Sequence, residues 1–257
     1  MDFIMDKRIS SSLALCLLAL ILIGPLWEAA GLPNSADGPL HLMRSGAMAR
    51  AWSAGVFWPR WFPDVYAGLG APTFHYYSPL FYLFVAALHS AGFAVDWAAK
   101  IVISACFLAS GLAMFAWLRR LVRSEAGAFV GAALYLTQPA LYREMLYQGS
   151  YPQLLALLFL PIGLWALTAL AEEDRPWAWF TATASVTVLL LMHNLTAMLA
   201  GGTFTVYWLF LGVVRRNRAG WLRGVVAALL AGLLGAFFWF PALGDASLVQ
   251  IDNLRQG

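Results

Sequence analysis

Leu80-Phe81-Tyr82-Leu83-Phe84-Val85-Ala86-Ala87-Leu88-His89-Ser90-Ala91-Gly92-Phe93 is the stretch on which the topology of this chain turns. It is apolar, but it is short for a bilayer crossing, which takes about 20 residues, and His89 interrupts it. Other apolar runs lie at Ile9–Trp27, Ala98–Leu118, Ala126–Gln138, Pro152–Leu170, Trp177–Met192, Leu195–Val214 and Trp221–Phe240. If every run crossed, Arg119, Arg120 and Arg123 would lie outside, and so would Arg215, Arg216 and Arg218. Both outcomes contradict the enrichment of Lys and Arg in cytoplasmic loops. The conflict disappears if 80–93 is re-entrant or interfacial. Both arginine clusters and the Glu172–Arg175 turn then face the cytoplasm. The opposite side collects the first loop, Tyr142–Tyr151, His193-Asn194 and the tail after Pro241.

Composition supports a membrane setting. The chain is 61% hydrophobic and 11% charged, with a mean hydropathy of +0.72, which no water-soluble domain of this length carries on its surface. The net charge of +3 sits in short clusters between apolar runs, so it reports orientation and gives no nucleic-acid signature. Cys16 and Cys106 fall inside apolar runs, as small buried hydrophobes do. Lys7 and Arg8 precede a run longer than the roughly 7–15 apolar residues of a signal peptide, which predicts a permanent first helix with its N-terminus inside. The fold class expected is all-α: a polytopic transmembrane bundle of about seven to eight helices. Residues 1–257 form one membrane domain, within which 31–79 form a long extracytoplasmic loop that carries an interfacial helix.

That loop holds most of the unusual chemistry. Asp37-Gly38-Pro39 reads as a helix start, with Asp37 at the cap. A helix through Trp52 places His41, Arg44, Ser45 and Met48 on one side and Leu40, Met43, Ala47 and Ala51 on the other. That pattern suits a helix lying on the membrane surface, apolar side down. Asp37 is either a cap or a working carboxylate that accepts a proton or holds a divalent cation, with His41 and Arg44 beside it to neutralise phosphate oxygens. Asp64 and Glu144 are the other outward acids, without diagnostic spacing. Phe57-Trp58-Pro59-Arg60-Trp61-Phe62-Pro63-Asp64 either anchors the loop at the interface or uses its rings and Arg60 to bind a sugar and an anionic head group. Ala67-Gly68-Leu69-Gly70-Ala71-Pro72 lacks the context of a phosphate loop and reads as a turn. Arg143 and Glu144 form a second outward patch and either neutralise each other or serve the site. His193-Asn194, between two runs, either bonds to neighbouring helices or faces a cavity.

These strings carry a resemblance. Ala36-Asp37-Gly38-Pro39-Leu40-His41, Trp58-Pro59-Arg60-Trp61-Phe62-Pro63-Asp64, Tyr77-Ser78-Pro79-Leu80, Leu160-Pro161, His193-Asn194 and Ala236-Phe237-Phe238-Trp239-Phe240-Pro241-Ala242-Leu243 resemble, in order, bacterial membrane proteins of the 6-pyruvoyl-tetrahydropterin synthase-related family. Four scattered histidines do not make the zinc set of the soluble pterin enzyme. The resemblance implies instead a GT-C-like glycosyltransferase in the bacterial inner membrane that moves a sugar from a polyprenyl-phosphate carrier outside the cytoplasm. Asp37 would be the catalytic or metal-holding acid, and His41, Arg44, Arg60, Arg143, His193 and Asn194 would line the substrate. The partners implied are membrane lipids and a lipid-linked sugar. Gln148-Gly149 and Gln153 stand where such relatives carry an Arg-Gly pair and a Glu, and relatives continue with further helices and an outer domain. Those departures favour the alternative of a non-catalytic scaffold or lipid-carrier-binding subunit.

Overall fold

The structure, a computed structural model, describes residues 2–215 and 218–249. The charges of Lys7, Arg8, Arg215 and Arg216 and the tail beyond Val249 lie outside the described residues. The fold is helical throughout, with one isolated antiparallel bridge between Phe62 and Ala71. The helices are α1 (Asp2–Leu22), α2 (Gly24–Glu28), α3 (Gly38–Ser53), α4 (Thr73–Tyr76), α5 (Leu80–Ser90), α6 (Val95–Val122), α7 (Glu125–Leu136), α8 (Pro139–Tyr142), α9 (Tyr151–Glu172), α10 (Pro176–Met192), α11 (Asn194–Arg215) and α12 (Arg218–Gly244).

Four helices are long and apolar enough to cross a membrane: Val95–Val122, Tyr151–Glu172, Asn194–Val214 and Arg218–Gly244. Shorter apolar helices among the described residues are Ser10–Leu22, which is part of α1, Leu80–Ser90 and Pro176–Met192. The first run is not one helix to Trp27. It breaks at Ile23, because Gly24-Pro25 starts a new turn and proline has no N–H to continue the ladder.

The two ends of the bundle differ in chemistry. At one end Arg120 pairs with both Glu172 and Glu173 at 3.0 Å, Arg119 with Glu125 at 3.7 Å, and Arg223 reaches Asp174 at 3.8 Å. These contacts fasten the end of α6 and the start of α12 to the α9–α10 turn. At the other end the first loop closes over the helix tips. Ser78 donates to Leu190 O at 3.1 Å, Asn194 Nδ2 donates to Tyr76 O at 2.7 Å, and Arg60 Nη2 donates to Phe237 O at 2.7 Å.

α5 spans only about 16 Å at 1.5 Å per residue, and both its ends stay at the loop end. Its start meets α3 through Tyr82 and His41. The helix that follows it places Trp97 against Trp27 with ring centres 5.4 Å apart, and Lys100 Nζ donates to Ala29 O at 2.6 Å. The helix that follows 80–93 thus begins at the loop end, beside the residues that close α2.

Candidate functional site

The loop end is built on two turns that lock together. Residues 143–148 form a π-helical turn, closed by Gly149 at φ +69°. Such wide turns are uncommon and concentrate at functional sites. Ala36 N donates to Tyr147 O at 3.0 Å and Asp37 N to Gln148 O at 2.7 Å, so the start of α3 is strapped to this turn. Glycine is required at 149, because a Cβ there would stand 2.7 Å from Gly38 N and 2.1 Å from Ser35 Oγ.

Asp37 sits at the N-cap position of α3 but makes no side-chain cap bond. Its Oδ2 instead accepts from Gln148 Nε2 at 2.8 Å. The carboxylate is thus spent across the site and not on its own helix. The two sides of α3 have different surroundings. His41, Ser45 and Met48 pack inward, while Leu40 and Met43 are exposed, because α5 offers Tyr82 and α4 leads into Tyr77 as polar partners for that side.

His41 is 2% exposed, and its Nδ1 lies 2.7 Å from the Tyr82 hydroxyl. Tyr77, Tyr82 and Tyr151 enclose the ring, with centres 5.9 to 6.2 Å away. Burial, helped by the Arg44 charge and opposed by Asp37, lowers its pKa to about 4. The imidazole is neutral at pH 7. Arg44 lies 4.5 Å over the Tyr77 ring, and among the described residues it has no carboxylate partner. Burial raises the Tyr77 pKa while Arg44 opposes that rise.

His193 joins this group from the α10–α11 junction, its ring centre 6.1 Å from that of Tyr77. Its Nδ1 accepts from Thr196 N at 3.4 Å and lies 2.9 Å from Thr196 Oγ1. It therefore caps α11, and burial lowers its pKa. Asn194 holds the loop by its bonds to Tyr76 O and Ser78. Asn194 thus bonds to another segment, whereas the His193 bonds stay within its own turn and its ring borders the candidate site.

The site brings together Asp37, His41, Arg44 and His193. Arg143 is 70% exposed and, among the described residues, pairs with Glu144 at 3.5 Å. Arg60 belongs to an adjacent hollow of about 380 Å³ lined with Trp61, His75, Tyr76 and Asp245. There Arg60 Nη1 meets His75 Nδ1 at 3.2 Å, and His75 Nε2 meets Asp245 Oδ2 at 2.8 Å. Tyr82, the buried state of Glu144 and the contacts of Tyr77 and Gln148 with His41, Arg44 and Asp37 are what sequence patterns did not single out. Only their chain-distant packing marks them. Among the described residues no three His, Cys, Asp or Glu side chains gather, and no step below runs through a cation.

The fold and site define a polytopic helical membrane protein with a polar, aromatic-walled centre at one end of its bundle. Residues 74–255 match the family model described as the 6-pyruvoyl-tetrahydropterin synthase related domain of membrane proteins, and the chain belongs to that family. No curated protein and no solved structure matches the chain.

Proposed function

We propose that the chain is a GT-C-like membrane glycosyltransferase that takes a sugar from a polyprenyl-phosphate carrier on the extracytoplasmic side, in the inner membrane of a bacterium. The observation that carries this is the state of Asp37. Its carboxylate is not used as a cap, is fixed by Gln148, and shares its site with an Arg44 that lacks an acidic partner among the described residues. With the arginine-rich end inside, the rule of positive loops puts this centre outside. The acceptor hydroxyl gives its proton to Asp37 as its oxygen bonds to the sugar's anomeric carbon. The bond from that carbon to the carrier phosphate breaks with its electron pair on the phosphate, and Arg44 stabilises that charge. Arg60 is already committed to His75 and Phe237 O, so Arg44 takes the phosphate role. Neutral His41 donates or accepts a hydrogen bond without adding charge.

A second reading, a non-catalytic carrier-binding protein, is favoured by one feature. A cavity of about 430 Å³ lies among α9, α10, α11 and α12, walled by Leu167, Val186, Phe204 and Trp208, and it suits a hydrocarbon chain whether or not transfer follows. The test is transfer from a panel of polyprenyl-phosphate sugars by membranes holding equal amounts of wild type and Asp37→Asn. Transfer by wild type that Asp37→Asn lacks supports the enzyme. Transfer unchanged in Asp37→Asn removes Asp37 from the mechanism. Binding of a donor by wild type without transfer selects the second reading.

A further inference from the structure

The hollow beside the candidate site is walled by a chain of polar groups drawn from three distant parts of the sequence. Arg60 Nη2 donates to Phe237 O at 2.7 Å, and its Nη1 meets His75 Nδ1 at 3.2 Å. An arginine only donates, so Nδ1 is the accepting nitrogen of His75, and Nε2 carries the hydrogen that goes to Asp245 Oδ2 at 2.8 Å. Tyr76 Oη donates to Asp245 O at 2.9 Å. The Asp245 side chain stays 50% exposed, and among the described residues its Oδ1 takes no hydrogen bond.

Trp61 closes the hollow on another side. Its neighbour Phe62 exchanges two backbone bonds with Ala71, both at 2.9 Å. This bridge lays the indole on Gly70, where a Cβ would stand 2.6 Å from Trp61 Cε2. The ring is therefore held in place, yet Trp61 is 54% exposed. A fixed aromatic face beside a guanidinium and a half-exposed carboxylate suits few ligands. An anion is repelled by Asp245 and a cation by Arg60. An uncharged sugar ring meets neither cost. Its hydroxyls donate to Asp245 and accept from the remaining N–H groups of Arg60, and its C–H face lies on the electron-rich face of the indole. The volume of about 380 Å³ falls within the roughly 300–1,000 Å³ of small-molecule sites.

We propose that this hollow is a binding site for an uncharged saccharide, with Trp61 as its platform and Asp245 as the acceptor of its hydroxyl hydrogens. Tyr76 lines the hollow, and the next residue, Tyr77, has Arg44 4.5 Å over its ring, so a glycan bound here is placed as the acceptor of transfer. That last role rests on the transferase reading; the binding does not.

The test uses the full chain in lipid nanodiscs, because sugar-headed detergents would compete for the hollow. Wild type, Trp61→Ala and Asp245→Ala are titrated with a panel of neutral pyranose oligosaccharides and with uronic-acid oligosaccharides of the same length, and binding is read by saturation-transfer NMR. Neutral oligosaccharides are expected to bind wild type, and each substitution to weaken them by about tenfold. Asp245→Ala changes the exposed rim and keeps the test sharp where Trp61→Ala disturbs the loop. Absence of neutral oligosaccharide binding, a preference for the uronates, or an affinity unchanged in Asp245→Ala overturns the proposal. Binding that depends on Trp61 and Asp245 in a protein that transfers no sugar leaves the saccharide site standing and removes the transferase reading. Transfer that is insensitive to both substitutions does the reverse.

Discussion

Gln148 Nε2 donates a 2.8 Å hydrogen bond to Asp37 Oδ2 across 111 residues of sequence, and this bond fixes the one acid the proposed chemistry depends on. Replacing Gln148 by Leu leaves a half-buried carboxylate without its amide donor. A hydrogen bond to a charged group contributes about 1.5–3 kcal/mol, so thermal unfolding in detergent is expected to shift down accordingly. Gln148→Glu goes further, because it places a second carboxyl directly against that of Asp37. Transfer by Gln148→Glu is expected to fall more than by Gln148→Leu, measured as kcat/KM with one polyprenyl-phosphate sugar.

Gly149→Ala acts on the same strap from the backbone side. The position lies at φ +69°, and an added methyl would meet Gly38 N at 2.7 Å. Left-handed backbone costs a non-glycine residue about 1 kcal/mol or more before the clash is counted. The α3 start must move away from the π turn, breaking the Asp37 N to Gln148 O bond. The expected result is a protein that still inserts but whose 31–79 loop is cut faster in limited proteolysis than in wild type.

His41 sets a pH dependence of stability with a definite sign. Its folded pKa is about 4 against an ordinary 6.5, so the unfolded chain binds a proton in a range where the folded one does not. The stability this residue supports is complete above about pH 6.5 and is lost as pH falls toward 4, by up to about 3 kcal/mol. Glu144, whose pKa is raised, acts in the opposite direction. The comparison is therefore wild type against His41→Gln across pH 7.5 to 4.5. The gap in unfolding midpoint between them is expected to narrow as the pH drops.

The helix content was legible because apolar runs are long and bounded by charge, and the runs from 98 to 240 all became helices. The shortness of α5 was legible from the length of the 80–93 run and from His89 within it; whether it crosses is what the two arginine clusters predict and labelling tests. Helix breaks were harder. Gly24-Pro25 is short and sits in a run of hydrophobes, so composition alone hides it. The site was half visible. Asp37, His41 and Arg44 share one helix, and helical spacing brings them together. Gln148 joins them through a π turn, which has no composition signature. The packing of His41 and Ser45 into protein was not legible, because the partners of His41, Tyr82 and Tyr77, lie on separate elements, Tyr82 being 41 residues along the chain.

Trp208 and Gly224 decide how close α11 and α12 can come. A Cβ at 224 would meet Trp208 Cε2 and Cζ2 at 2.2 Å, so the indole lies on bare backbone, and its Nε1 donates to Trp221 O at 3.2 Å. Small residues at such crossings let transmembrane helices approach. Gly224→Leu should drive the indole out, fill part of the 430 Å³ cavity and cost about 1–3 kcal/mol from overpacking. If that cavity holds the carrier's hydrocarbon chain, KM for long-chain donors rises while short-chain analogues are unaffected, a comparison read directly from initial rates.

Val122 and Tyr147 offer a direct reading of sidedness. Val122 ends α6 beside Arg119 and Arg120, whose partners are Glu125, Glu172 and Glu173. Tyr147 lies in the π turn that straps Asp37, and both residues are exposed. Cys16 and Cys106 are free thiols, so the experiment starts from the Cys16→Ala, Cys106→Ala background. If α5 does not cross, a membrane-impermeant maleimide applied to intact cells labels Tyr147→Cys and leaves Val122→Cys unlabelled until the membrane is opened. The reverse pattern would put Asp37 on the cytoplasmic side, where an extracytoplasmic acceptor cannot reach it. Labelling of both from outside would place the two ends of α6 on one side, against the 28-residue length of that helix, which at 1.5 Å per residue reaches across a bilayer's hydrocarbon core of about 30 Å.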